Sequence, residues 1–352
     1  MFQAFLKFLG GEPGEEKRMW LLLGKGFFMG IFIASYQIGS ETLFLQVLGQ
    51  KYLAPAFFVA GFLGIVSAVI FVTLQKRGSF SSLVVSNVFL IFLFIAGIRL
   101  AFEFIGYEVG DDGFAILPFV LFVMIGPITT ITLLGFWGVF GRLFDARQSK
   151  RIIGGIDTGQ LTATIVAFFS IPLITRLPFI NETYDLLFVS AIASFGIVLF
   201  SIWIVRSYRL DHITRSTDGQ QVESVKFSQL YRDKYLRMLS LFIIFSAGAS
   251  VFVEYTFYTA TETMFPEEQQ LSDFLSFFSG TVMIMSFLIQ SFVNDIIIGR
   301  FGLKVALMTM PAILVLFTIG AIISGHIYGY EIKNKAFLLF FMFTVSAQAF
   351  TA

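Results

Sequence analysis

Apolar residues along this chain arrive in long blocks, separated by short polar turns, with neither strict alternation nor a single apolar face. A helix that crosses a bilayer needs about 20 largely apolar residues. The pattern predicts such helices near 19–46, 53–74, 83–102, 114–140, 152–174, 184–205, 238–260, 273–294, 305–325 and 336–352. Gly24, Gly26, Gly30 and Gly39 punctuate the first, which is expected to bend or tilt. The tenth block runs to Ala352 with no polar flank behind it, so the expectation is a last helix that continues. Ahead of the first block, Phe2, Phe5, Leu6 and Leu9 fall at helical spacing. That fits an amphipathic segment over 1–18 lying on the inner leaflet, or equally a frayed terminus.

Composition turns this pattern into a class. Of 352 residues, 57% are hydrophobic and 13% charged, against about 25% charged in soluble domains. The expected fold is an all-α membrane protein. A net charge of +1 with no run of like charges implies no nucleic-acid partner. There are no cysteines and only His212 and His326 to offer imidazole, so no metal site is expected. No Walker, zinc-helix or nucleophile-elbow pattern occurs, and neither an enzyme nor a cofactor is expected.

The cations then orient the chain. With the N-terminus inside, 18 of the 24 Lys and Arg residues fall in inner segments and 4 in outer ones. Positive residues favour the cytoplasmic side, so the N-terminus is expected there. The longest charged loop, about 206–237, follows the sixth span, as a linker between two six-helix halves would. The chain divides accordingly into an N-terminal half at 19–205, the linker at 206–237 and an incomplete C-terminal half at 238–352. Gln75-Lys76-Arg77-Gly78 after span 2 is echoed by Gly299-Arg300-Phe301-Gly302 after span 8, with Gly78 and Gly302 224 residues apart. Such basic glycine turns resemble the inner-loop motif of the major facilitator superfamily.

Ionisable residues inside spans cost about 2.5–3.5 kcal/mol each at mid-helix, so something must keep them. Glu254 sits in an otherwise apolar seventh span. Asp157 and Gln160 lie on the polar, glycine-rich face Gly154-Gly155-Ile156-Asp157-Thr158-Gly159-Gln160. Lys25 is read as a partner for Asp157, a substrate anchor, or a side chain that snorkels to the inner surface. Together Glu254, Asp157, Lys25 and Gln160 form the candidate substrate or coupling set, with an inter-helix ion pair as the plainer reading. Arg99, Glu41 and Asp295 fall near span ends and are expected at the interface. At the turn between spans 4 and 5, Asp145 can pair with Arg147 or cap the next helix, while Lys150 and Arg151 sit at headgroup level. With Asp295 and Arg300 they make a candidate cytoplasmic gate, or simply a basic loop that sets topology.

Two segments are more specific. One is Phe136-Trp137-Gly138 with Leu143-Phe144-Asp145-Ala146-Arg147-Gln148-Ser149-Lys150-Arg151; the other is Phe252-Val253-Glu254-Tyr255-Thr256-Phe257, followed by Phe265-Pro266. With Leu43-Phe44-Leu45, Gly49 and Leu53-Ala54-Pro55 they resemble the plastid-type ATP/ADP translocase family, and most of all its bacterial members. The resemblance runs from about residue 20 to the end. It implies a major-facilitator-like bundle of six plus six helices, here about ten spans long, in a bacterial inner membrane. It also implies HEAT repeats, and in some members a cyclic-nucleotide-binding domain, beyond the carrier body. The chain departs from that family at two positions: Tyr258 stands where it carries a lysine, and Ser40 precedes Glu41 where it carries a cation.

Two functions follow as expectations. The first is a secondary transporter working by alternating access, moving a nucleotide or another small metabolite, with proton coupling open. The second is a carrier-shaped sensor or scaffold that no longer transports and acts through further domains.

Overall fold

The computed structural model describes residues 11–105, 116–178, 182–208, 210–212 and 234–288, with scattered positions between 305 and 342. Among these the chain is helical, and eight helices are long and apolar enough to cross a membrane. They are α1 (Glu16–Val47), α2 (Leu53–Arg77), α3 (Phe80–Ile105), α4 (Ile116–Leu143), α5 (Ala146–Ile174), α6 (Leu186–Ser207), α7 (Lys234–Met264) and α8 (Glu268–Leu288). Each overlaps one of the first eight predicted spans, α8 over residues 273–288 of the eighth. All but one residue of the predicted span at 336–352, nearly half of that at 305–325, and the gate candidates Asp295 and Arg300 lie outside the described residues.

Local chemistry explains where the helices bend and stop. α4 runs in two pieces, Ile116–Val123 and Ile125–Leu143. Pro127 has no N–H to give the Val123 carbonyl, and its ring crowds that turn. α5 starts at Asp145, whose carboxylate accepts from the Arg147 and Gln148 amides at 2.9 Å each, while the Gln148 side chain accepts from the Asp145 amide. This reciprocal arrangement satisfies donors a helix start leaves orphaned. Asp145 therefore caps α5.

α1 is the central helix. It packs along α5 and α6 and also meets α4, α7 and α8. Small residues permit these approaches. A Cβ at Gly30 would stand 2.7 Å from the Thr164 amide nitrogen of α5. On the α6 side the fit is reciprocal, with the Phe200 ring lying over Gly24 and the Phe28 ring over Gly196. Ser190 and Ser35 share a buried hydrogen bond across the same seam, at 2.9 Å. Tyr36, which by type suits an interfacial anchor, is buried here and donates to the Leu121 carbonyl of α4 at 2.9 Å.

The outward faces are apolar. On α2, Phe58, Phe62, Ile65 and Val69 are exposed, as are Phe242, Phe245 and Phe252 on α7. Apolar groups exposed over the length of a helix are the surface a bilayer requires. The chain is an integral, multi-pass membrane protein whose exposed helix faces meet lipid.

Candidate functional site

Polar and ionisable side chains concentrate where α1 meets α7. Glu254, Tyr258 and Glu262 recur every four residues along α7, so they share one face. Opposite them α1 presents Gln37 and Glu41, again one turn apart. The Tyr258 hydroxyl donates to Glu41 Oε1 at 2.7 Å, and the Gln37 amide donates to the same oxygen at 2.8 Å. Glu41 is 3% exposed, enclosed between the helices. Glu254, one turn before Tyr258, is close enough for its charge to act on Glu41.

Aromatic rings from four helices wall this contact. Phe44 of α1 stacks on Phe122 of α4 with centroids 4.2 Å apart. Phe57 of α2 meets the Phe122 ring edge-on. The Tyr258 ring lies 5.9 Å from Phe122 and 6.2 Å from Phe57. Ring walls exclude water and lower the local dielectric, which strengthens the hydrogen bonds inside and raises the cost of any uncompensated charge.

The end of the bundle at Gly49 carries further links to α7 and α8. Gly49 turns the chain out of α1 with φ 63°, and a Cβ there would stand 2.7 Å from Glu262 Oε1. Both the left-handed backbone and the close carboxylate call for glycine. Glu262 of α7 is thereby placed against the turn that leaves α1. Glu268 at the start of α8 accepts from the Thr183 amide at 3.1 Å, and Arg176 pairs with Asp273 at 3.2 Å. Deeper along the same seam the Phe169 ring of α5 rests on Gly280 of α8.

Two further polar side chains are buried on α1 and α5. Lys25 is 1% exposed and Gln160 7% exposed, and among the described residues neither Lys25 Nζ nor Gln160 Oε1 has a hydrogen-bond partner. A Cβ at Gly26, next to Lys25 in the chain, would stand 3.4 Å from the Gln160 Cβ of α5. Asp157 lies on the same stretch of α5, partly buried, and forms no ion pair with Lys25. Lys25 does not reach solvent, so the snorkelling alternative is not realised.

The basic turn between α4 and α5 is tied within the first six helices. Arg151 pairs with Glu15 at 2.7 Å and also with Glu12, both in the segment leading into α1. Arg18 donates to the Leu143 carbonyl at 3.0 Å, and the Arg142 guanidinium lies 3.4 Å from the centre of the Phe80 ring. Arg147 and Lys150 are exposed. Arg99 bridges Glu103 and Asp185 at 2.8 and 2.7 Å and lies over the Tyr184 ring, so it fastens α3 to the start of α6.

Sequence reasoning named Glu254 and passed over its neighbours. Glu41 and Tyr258 are 217 residues apart, and nothing in spacing or composition pairs them. One signal was available: Tyr258 and Ser40, the residue before Glu41, are the two positions where the chain departs from the family it resembles. No family model matches the chain, and no curated protein matches it in sequence.

Proposed function

We propose that this chain is the carrier body of a secondary transporter of the ATP/ADP-translocase-like type. It moves a small solute by alternating access between two six-helix halves, with its N-terminus in the cytoplasm. What supports this most is the polar seam between α1 and α7. In a six-plus-six plan these are the first helices of the two halves, and carriers of that plan hold substrate and coupling ions at the interface between repeats. The contact between α1 and α7 holds two carboxylates, a phenol and an amide. Keeping such groups in a membrane interior is costly, which fits a working site better than packing alone.

The charge type bears on the solute. A nucleotide di- or triphosphate needs Lys or Arg around its phosphates. The seam offers Glu41 and Glu254, and the buried cation Lys25 lies sixteen residues before Glu41 on α1. A small metabolite that is neutral or cationic, or one carried with protons, suits the seam better than a polyphosphate.

The test is uptake by the full-length protein in proteoliposomes, using a labelled panel of nucleotides, inorganic phosphate, amino acids and other metabolites. At least one compound is expected to accumulate, and Glu254→Gln should lower its initial rate at least about tenfold, equivalent to about 1.4 kcal/mol. Neither flux nor stabilising binding across the panel would overturn the carrier reading and favour the sensor or scaffold.

A further inference from the structure

The contact between Glu41 and Tyr258 is a direct hydrogen bond between α1 and α7, made by a side chain that gains or loses charge. We propose that it is a proton-operated clasp: the seam closes with a proton held among its carboxylates, and parts when that proton is released. The proposal deepens the carrier reading, on which it rests for its purpose but not for its chemistry.

The groups acting on Glu41 are few. From α7 come Tyr258 and Glu254; from α1 itself comes Gln37. The neighbouring rings from α2 and α4, Phe57 and Phe122, carry no charge. Among the described residues no cation pairs with Glu41. Lys25 is sixteen residues away on the same helix, about 24 Å at 1.5 Å per residue. Glu41 thus sits 3% exposed behind aromatic rings, with the partly buried Glu254 one turn from its partner Tyr258 on α7 and, among the described residues, no counter-charge beside it. Like charges so placed cannot both stay ionised at little cost, and one bound proton removes the repulsion.

The Tyr258 hydroxyl donates to Glu41 whether the carboxyl is charged or neutral, so protonation keeps the hydrogen bond while relieving the repulsion. Parting α1 from α7 would wet Glu41, solvate its charge and let the proton leave. The closed seam therefore binds protons more tightly than the parted one, and by linkage acid favours closure. At the same end Glu262 of α7 lies against the Gly49 turn that leaves α1, a contact that would open with the seam.

The chain has no cysteines, so spin labels can be placed without removing any. Labels at Lys51→Cys and Gln269→Cys, both exposed, report the separation of the two sides by double electron–electron resonance in full-length protein in liposomes. A short distance is expected at acid pH, giving way to a longer one as pH rises. Glu41→Gln should hold the short distance at every pH, and Glu254→Gln should narrow the pH dependence. Tyr258→Phe keeps both carboxylates but should cut the short-distance population about fivefold, the worth of one ordinary hydrogen bond. Wild-type distances that ignore pH, or a Glu41→Gln protein that titrates like wild type, would overturn the clasp. If Glu41→Gln does not fold, an unchanged short-distance population in Tyr258→Phe overturns it instead. The panel of solutes separates the two proposals. Flux with no effect of Glu41→Gln sinks the clasp and leaves the carrier. A clasp that titrates with no flux for any solute leaves the clasp and sinks the carrier.

Discussion

At the residue scale the protein sets carboxylates to two different tasks. Glu41 is enclosed by rings and answers to a phenol, whereas Asp211 works in the open. Beyond α6, Asp211 accepts from the Ser81 amide at 3.1 Å and the Ser79 hydroxyl at 3.0 Å, serving the exposed start of α3. The Ser81 amide, first among these donors, holds the Asp211 carboxyl below the usual aspartate range. A group lowered in the folded state stabilises above its unfolded value, about 3.9, and loses that contribution as pH falls through its folded value. Asp211→Asn should therefore melt below wild type at neutral pH, and the two melting curves should converge under acid. A gap that persists at acid pH would show that shape and not charge sets the cap. Nothing in the sequence forecast this role, because Asp211 and Ser81 are brought together only by the packing of α6 against α3.

At the element scale much was legible. Long apolar blocks and basic turns located eight helices, and the Asp145 turn announced a helix start. Less legible was which helix would lie at the centre. The α1 sequence mixes Lys25, Ser35, Ser40, Glu41 and Thr42 with apolar residues, a pattern that by itself fits either an exposed or an enclosed helix. Its glycines decide. With the Thr164 amide so near Gly30, a larger side chain must push α5 away. Overpacking of this kind costs about 1–3 kcal/mol. Gly30→Val should lower the melting temperature of the detergent-solubilised protein, while Gly97→Val, with nothing near its Cβ, should leave it within experimental error. Equal losses at the two positions would mean that the α1–α5 approach is not tight.

At the scale of the whole molecule, the division into halves and the sidedness were argued from charge. The cationic asymmetry that points the N-terminus inward is a property of loops, and packing inside the bundle neither needs nor reveals it. Single cysteines in the cysteine-free chain can read it. With a membrane-impermeant maleimide, Lys150→Cys should label only after the inner face is opened, and Lys51→Cys should label from outside. The reverse result would invert the topology. The candidate site was half legible at this scale. Glu254 declared itself by its cost, but its counterpart Glu41 needed the fold to bring α1 and α7 together.

The paired rings that lie over Gly24 and Gly196 have a mechanical consequence. Each ring is seated on the opposite helix, so α1 can neither slide along α6 nor roll over it without unseating both. Displacement at one tip of α1 must then carry its neighbours with it. With 32 residues at 1.5 Å each, α1 is a lever about 48 Å long. A pivot near its middle would turn a small parting beside Glu41 into an equal and opposite swing beside Arg18 and Arg151, at the far tip. Chemistry confined to one face of the membrane would be felt on the other without any side chain relaying it.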